Sequence, residues 1–537
     1  MNLKKIKNTL FLPKTTFSLK NNNHLETEKK IREFWEEKKI YHQILEKNKN
    51  NSSFILHSGP PYANNQLHIG HFLNFIIKDI IVRFQSSQGK YTPFLLGWDT
   101  HGLPIEHKMI QTYKKDNLRQ FCHDFALKQV QIQKEQLKEI GLFTDFKKYY
   151  ITLDKEYEAK QIRVFGEMVK KGLIYRGFRP IHWSWSHETA LAENEIEYSE
   201  KKDISLYFEI KLVKNSDLFK QENISLLVWT TQPWTIPFNR LVAIKKTSFY
   251  VLVELDNKYL IILENKIPFL EKYQGKKIKV EKIFSGEKLL EISYFHPYQK
   301  DTKGYIVDGS NFIDEREGTG IVHLAPAFGV EDFMIAKKEG LIIDCPLRPN
   351  GLFNEKIEIP EIINKHYLEV NEYVITDLEK KNLVIKKEII THNYPHDWRD
   401  NTPLVFRLTK QWFINIKSIK KKLLTNIKKV KWYPKWTEEK MKFIISSRED
   451  WCISRQRKWG VPIPILYEND EPIINIKIIN YIADIFAEKG SDCWFNGSIL
   501  PLLKKKFPNL IKEKTILEQD IMDVWFDSGV SHYCVCF

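Results

Sequence analysis

The sequence predicts an α/β protein in which a parallel-sheet α/β domain is interrupted by a β-rich insertion. Three observations carry this. Residues 54–84 read as strand, tight loop and apolar helix, which is one half of a parallel α/β unit. From about 200 to 390 the chain becomes a close succession of short β segments. Mixed helix and strand return near 390. At 537 residues the chain is too long for one ordinary domain. With 42% hydrophobic and 28% charged residues it has a globular composition, which excludes a disordered tail, a collagen and a disulfide-stapled miniprotein.

Taken in order, residues 24–48 predict one amphipathic helix, with Ile31, Phe34 and Trp35 at helical spacing. The polar run KNKNNSS at 47–53 reads as a linker. FILH at 54–57 reads as a strand. The helix after the loop steps through Ile69, Phe72, Leu73, Ile76, Ile80 and Phe84, a face expected to be buried. TPFLLGWD at 92–99 predicts the next strand, and Lys128–Ile140 a further helix. ISLYFEI, ISLLVWTT, LVAI, FYVLVEL, YLIIL, KIKVEKIF and GIVHLA then build the insertion. Four parts follow: 1–48, 49–198, 199–390 and 391–537.

The best membrane candidate, Phe72–Val82, is broken by Lys78 and Asp79, so no membrane is expected. The segment MNLKKIKNTLFLPK lacks the apolar core and cleavage site of a secretory peptide. Cys122, Cys345, Cys452, Cys493, Cys534 and Cys536 are too scattered for a disulfide framework, which points to a reducing, cytoplasmic setting. Lys plus Arg less Asp plus Glu is 83 − 68 = +15, which makes a polyanion such as nucleic acid the first partner to consider. Lysine, isoleucine and asparagine crowd the whole sequence, as an AT-rich genome would produce, so charge alone leaves that question even.

His68-Ile69-Gly70-His71 opens the first helix of the α/β unit. Anions sit well at a helix N-terminus, where free amides and the macrodipole both point at them. Two imidazoles three residues apart share a face there and can donate to phosphate oxygens, and Gly70 removes a side chain that would block a flat ring such as adenine. Taken alone, four residues are better read as a pair of helix-start histidines without a ligand. Their flanks decide otherwise. GPPYANNQLHIGH at 59–71 and GWDTHGLPIE at 97–106 resemble the class I aminoacyl-tRNA synthetases, and within them the isoleucine enzymes, bacterial type. LPKTTF (12–17), WSWSHETALAENEIEY (183–198), YPHDWRDNTPLVFR (394–407), QWF (411–413), DWCISRQRKWGVPIPILY (450–467) and DIMDVWFDSGVSH (520–532) extend the resemblance over nearly the whole chain. Valyl and leucyl relatives carry different residues at the GWDTHGLPIE and VWFDSG positions.

The resemblance implies a nucleotide-binding (Rossmann-like) domain split by an editing domain, with 199–390 as the editing insertion. It also implies an isoleucine–tRNA ligase that uses ATP with Mg²⁺, isoleucine and tRNA(Ile), and that works as a monomer. His68 and His71 match the positions that stabilise charge on the α-phosphate, with Gly70 beside them at the ATP; preorganised donors do this best. Asp99 matches the acid that holds the substrate α-ammonium, and Pro60 and Trp525 match walls of the isoleucine pocket. An apolar pocket excludes valine poorly, a limit for which the isoleucine enzymes are the standing example at roughly 10–200-fold, and a second hydrolytic site is the remedy. VWTTQPWT at 228–235 and GTGIVHLAPAFGVEDF at 318–333 look like that site: Thr230, Thr231 and Thr235 positioning ester and water, His323 by the terminal ribose, Asp332 on the free amino group.

Some positions depart from the family pattern. Ser58 stands where an acid is common, Asn65 replaces a glycine and is expected to tolerate a left-handed backbone, and Gln232 replaces a threonine of the editing run. No CxxC pair stands near Trp183 or at HDWRD (396–400), so no zinc or other metal site is expected. Lys440-Met441-Lys442 is not the lysine-bearing KMSKS loop, which the resemblance places, with the anticodon-binding domain, beyond the stretch seen here. Two other readings stay open: a valyl relative, and a non-ligating remnant that only binds or deacylates tRNA.

Overall fold

A computed structural model describes Thr9, Phe11 and residues 24–112, 117–213, 218–299 and 301–536, so the LPKTTF segment lies outside the described residues. The run at 24–48 forms two helices instead of one: α1 (His24–Glu37) and α2 (Ile40–Asn48), broken where Lys39 takes a left-handed backbone. The polar stretch after it is pinned. The Asn48 side-chain amide is buried and donates to the carbonyls of Ser86 and Lys90.

FILH forms no strand. It runs parallel to 91–99 but meets it only at the isolated bridges Ser53↔Tyr91 and Tyr62↔Asp99, and Pro60 and Pro61 have no amide with which to extend the pairing. α3 (Ile69–Ser87) follows the loop, but the face expected to be buried is open. Ile69, Leu73, Ile76, Ile80 and Phe84 are exposed, while Phe75 and Val82 on the other side enter a core with Trp98, Leu137 and Phe143. The helix is apolar nearly all round, and only one of its stripes is covered by the described residues.

Of the expected strand at 92–99 only β1 (Leu96–Trp98) forms a ladder. After α4 (Leu103–Thr112) and α5 (Leu118–Glu139), the latter starting well before the expected Lys128, β2 (Tyr149–Ile151) pairs with β1 in parallel. A Cβ on Gly97 would lie 2.0 Å from the Tyr150 ring, so only glycine admits this close crossing. α6 (Lys155–Lys170) leads to β3 (Ile174–Ser184), so the β-rich texture begins before 200.

β4 (Ile196–Lys211) carries the chain into the insertion, which contains β5 (Ile224–Thr230), β6 (Leu241–Ile244), β7 (Phe249–Leu255), β8 (Lys258–Leu263), β9 (Lys279–Ser285), β10 (Lys303–Asp308), β11 (Ile321–Leu324) and α7 (Val330–Lys338). β12 (Val384–Asp397) returns along β4 in one antiparallel ladder from Ile196↔Asp397 to Phe208↔Val384. β13 (Val405–Ile414) then pairs antiparallel with β3. Six strands form one sheet in the order β9-β7-β8-β5-β4-β12; β10, β6 and β11 form another with the short strand Ser293–Phe295. Their alternating apolar residues meet in a core that includes Leu206, Val228, Trp234, Val242, Ile261 and Tyr367. A separate core around Phe165, Trp412, Ile463, Ile482 and Trp494 holds the returning part. There α8 (Lys420–Ile427), α9 (Thr437–Ser447) and α10 (Val524–Gly529) stand out. No helix among the described residues is long and apolar enough to cross a membrane.

Candidate active site

His68 is the N-cap of α3. Its Nδ1 accepts from the Gly70 amide at 3.1 Å, and His71 Nδ1 accepts from the His68 amide at 3.3 Å. The helix start thus satisfies two of its own free amides with the two rings. With both Nδ1 lone pairs engaged, each neutral ring carries its proton on Nε2, as an outward donor. The rings lie 3.9 Å apart. Burial and the neighbouring His68 lower the pKa of His71. Nearest to where a Gly70 Cβ would stand, at 3.0 Å, is the His68 ring, so this glycine makes room for the imidazole of its own motif.

The loop before α3 is held from behind by α5. Gln133 Nε2 donates to the carbonyls of Tyr62 and Asn65, its Oε1 accepts from Trp98 Nε1, and Gln136 Oε1 accepts from the Leu67 amide. Asn65 does not take the left-handed backbone expected of it; its Oδ1 accepts from the next amide instead. The Asp99 amide donates to Pro61 O and the Ala63 amide to Asp99 O, so the loop and the end of β1 are locked together. Asp99 is buried just beyond β1, with Thr152 Oγ1 at 3.4 Å and no cationic partner in hydrogen-bond range among the described residues. Burial and then the Asp527 carboxylate push its carboxyl well above the usual range. Pro60 is half-buried in the loop, and Trp525 lies about half exposed on α10, its amide capped by Asp523 Oδ1.

Sequence reasoning missed the group that ties these parts together. His101 Nδ1 lies 2.8 Å from Asp527 Oδ2, both fully buried, and Gln161 Nε2 donates to the other Asp527 oxygen at 2.6 Å. Burial lowers the His101 pKa to about 4 and raises that of Asp527. Both directions have one meaning: the buried setting disfavours charge on either group. Glu106 accepts from the amides of Lys458 and Trp459, and Trp459 Nε1 donates to Thr100 O. The segments 97–106, 450–467 and 520–532 therefore converge. The available signal was that His101 and Asp527 both sit inside the two motifs already singled out. Ser58 is buried and receives Lys78 Nζ on its Oγ at 2.6 Å; burial lowers the pKa of that lysine.

In the insertion, Thr235 and His323 meet. Thr235 Oγ1 lies 3.0 Å from His323 Nε2 and also donates to Gln232 O. Burial, then His296, lowers the His323 pKa to about 4. Its Nδ1 has no hydrogen-bond partner among the described residues. Asp332, in the first turn of α7, folds back so that Oδ2 accepts from the Ala325 amide at 2.7 Å, two residues past His323. Burial pushes its carboxyl up to about 6, against that bond. Thr230 ends β5 with its Oγ1 accepting from the Gln232 amide, and Thr231 follows half-buried. Thr235 and His323 are thus in direct contact and Asp332 is tied to the backbone two residues past His323, while Thr230 is spent on the turn. Gln232 acts through its backbone, bonding Thr230 and Thr235.

The missing CxxC pairs do not leave their region without convergent groups. His187 Nδ1 lies 3.1 Å from Asp397 Oδ2 and 3.7 Å from Asp400 Oδ2. Arg399 holds the other Asp397 oxygen and Ser186 donates to Asp400, so protein partners account for all three groups.

Comparison with known proteins supplies the family. The family model described as tRNA synthetases class I (I, L, M and V) matches residues 30–536. An isoleucine–tRNA ligase of Onion yellows phytoplasma is 42% identical over 98% of this chain and 59% of its own length. Those of Mycoplasmoides gallisepticum (41%, 98% of this chain, 59% of its own) and Bacillus subtilis (40%, 98% and 58%) are similar. The chain therefore spans about three fifths of the curated relatives it matches. Matched almost from end to end, and carrying the paired histidines at a helix start beside a buried acid at a strand end, the chain belongs to the class I tRNA synthetases.

Proposed function

We propose that the chain carries the isoleucine-activating and editing chemistry of an isoleucine–tRNA ligase. The observation that carries this is Asp99: a buried acid with no cationic partner among the described residues, locked by backbone bonds to the loop that leads into the His68/His71 helix start. An α-ammonium there would pair with it, and the substrate carboxylate would face the α-phosphate of ATP. The carboxylate oxygen attacks that phosphorus, the bond to the β-phosphate oxygen breaks, and pyrophosphate leaves. Charge gathering on the α-phosphate is met by the Nε2–H groups of His68 and His71 and by the start of α3. Pro60 and Trp525 would border the side chain. A ribose hydroxyl of tRNA then attacks the mixed anhydride and releases AMP. Residues 49–198 and 391–537 would form this nucleotide-binding unit, after a helical segment at 1–48.

Residues 199–390 would form the editing domain. Water adds to the ester carbonyl of valyl-tRNA and the tRNA hydroxyl leaves, giving free valine. Asp332 would hold the ammonium through Oδ1, with His323 and Thr235 at the ribose and ester, and Thr230 and Thr231 at the rim. The names of the relatives support isoleucine as the substrate. The test assays two reactions of the purified chain, isoleucine-dependent pyrophosphate exchange and valyl-tRNA deacylation. Any exchange should vanish in Asp99→Asn, because a neutral amide gives up the ammonium's counter-charge, and deacylation should persist in that variant. Exchange that is equal with valine and isoleucine would favour a valyl enzyme, and absence of both reactions would overturn the proposal.

A further inference from the structure

Residues 417–442 hold ten lysines (417, 420, 421, 422, 428, 429, 431, 435, 440 and 442) against two acids, Glu438 and Glu439. That is 10 − 2 = +8 on one short stretch, over half of the chain's +15. A genome-wide lysine bias spreads charge and does not concentrate it so. The stretch folds as a helical hairpin, α8 and α9, joined by KKVKWYPKW at 428–436. It is anchored by Lys420 Nζ to Ser446 O, by the Lys417 amide to Asp450, and by Trp432 Nε1 to Ile427 O. Both of its acids are held by Lys442, so the remaining lysines have no acid of the hairpin to compensate them, and all of them but the half-buried Lys420 are exposed. Lys417, Lys420, Lys421 and Lys428, with Leu424 and Thr425, line one groove. On the same hairpin large aromatic side chains stand in water: Tyr433 is 75% exposed, Trp436 63% and Phe443 74%. Lys431 and Lys440 lie over the Tyr433 and Trp436 rings.

We propose that this hairpin is a docking surface for single-stranded RNA, with phosphates in the lysine groove and unpaired bases stacked on Trp436 and Tyr433. Lysine ammonium groups neutralise a sugar–phosphate backbone without reading sequence, and flat exposed rings stack on bases only where these are not already paired. The choice of RNA as the polyanion rests on the function proposed above. The test contains no ATP, amino acid or acylated RNA, so its failure leaves that reading untouched.

The experiment measures binding of the chain, by fluorescence anisotropy, to a labelled single-stranded RNA of about 12 nucleotides, a length within the usual site size for stacking grooves. A duplex of the same length and vesicles of acidic phospholipid are compared with it at roughly 50 to 200 mM salt. The single strand should bind tightest. In Lys421→Gln/Lys428→Gln/Lys429→Gln the salt dependence should flatten, its log–log slope falling by about 2 for three lost phosphate contacts. Trp436→Ala should weaken binding by about 5–100-fold with its slope unchanged, and Trp436→Phe should restore most of the loss. Because the replaced side chains are exposed, thermal melting should stay at the parent value. An unchanged slope in the triple variant, an unaffected affinity in Trp436→Ala, or tighter binding to duplex or vesicles would each overturn the proposal.

Discussion

Asp332 allows the insertion's stability and its chemistry to be separated by one substitution. Its carboxyl keeps its proton to about pH 6 in the fold, against 3.8 for the ordinary group, because burial outweighs the amide bond from Ala325. The folded chain therefore binds this proton more tightly than the unfolded chain. Below pH 3.8 both states are protonated and nothing is lost. Between about pH 4 and 6 stability falls as pH rises, and above that the full cost of carrying a buried charge persists. At 1.36 kcal/mol per pH unit of displacement the cost at neutral pH is roughly 3 kcal/mol, and roughly 1–3 kcal/mol once relaxation is allowed. Asp332→Asn keeps an oxygen to accept from Ala325 and fits the tight space beside Gly329, where a Cβ would already lie 2.9 Å from the carboxyl. It should raise the melting temperature of the insertion at pH 7.5 by about 3–10 °C, since 1 kcal/mol moves a domain of this size by about 2–4 °C. The gain should vanish by pH 4. Valyl-tRNA deacylation should fall by about 10–100-fold, the loss expected when an ammonium gives up a charged partner. Paired melts of variant and parent across pH 4–8, with deacylation at pH 7.5, are the measurement. A lower melting point at pH 7.5, a gain that survives at pH 4, or unaltered deacylation would refute the reasoning.

Ser58→Asp should give Lys78 the charged partner it has nowhere among the described residues, the two side chains already being 2.6 Å apart, and stabilise the chain by about 1 kcal/mol; a double-mutant cycle with Lys78→Met that shows no coupling would count against it. Gly97→Ala should destabilise the β1–β2 pair by at least about 1–3 kcal/mol by driving a methyl into the Tyr150 ring, and Tyr150→Leu should recover part of that loss; denaturation midpoints of the two single variants and the double variant decide it.

What the sequence made legible was chemistry that is local. His68 and His71 form their constellation within four residues, so the helix start could be read directly. Asp99 closes the apolar run TPFLLGWD, a local signal, and it is buried just beyond β1. What escaped was whatever depends on distant partners. The link between His101 and Asp527 spans 426 residues, and no pattern in either segment encodes the other. On α3 the spacing showed apolar stripes but could not say which one finds a neighbour, so Ile69, Leu73 and Ile80 were expected inside and stand outside, while Phe75 carries the contact. FILH has strand composition, but a strand needs a hydrogen-bonding partner as well as a sequence, and the two prolines after it deny one. In the insertion the threonines looked alike; only the fold separates Thr235, against His323, from Thr230, turned onto a backbone amide.

The ladder between β4 and β12 also acts as a ruler. From Ile196 to Ser205, opposite Glu388 to Asp397, β4 and β12 pair with each other; near the foot of this ladder His396 also bridges Pro403, and β5 joins only at Leu206. Ten residue pairs at about 3.3 Å each make a ribbon of roughly 33 Å. The insertion also packs back on β3 and β13: the Leu408 amide donates to Ala327 O, Trp183 Nε1 to Pro349 O and Arg407 Nε to Leu347 O, and Trp183, Val405 and Leu408 share its core. Because side chains alternate along a strand, adding one residue to each strand would turn the ribbon's faces over. Adding two would keep every side chain on its own face but slide the insertion by about 7 Å along β3 and β13 and break those contacts. The length of the ribbon is thus read twice, once along its strands and once across to its neighbours, and neither can change without the other.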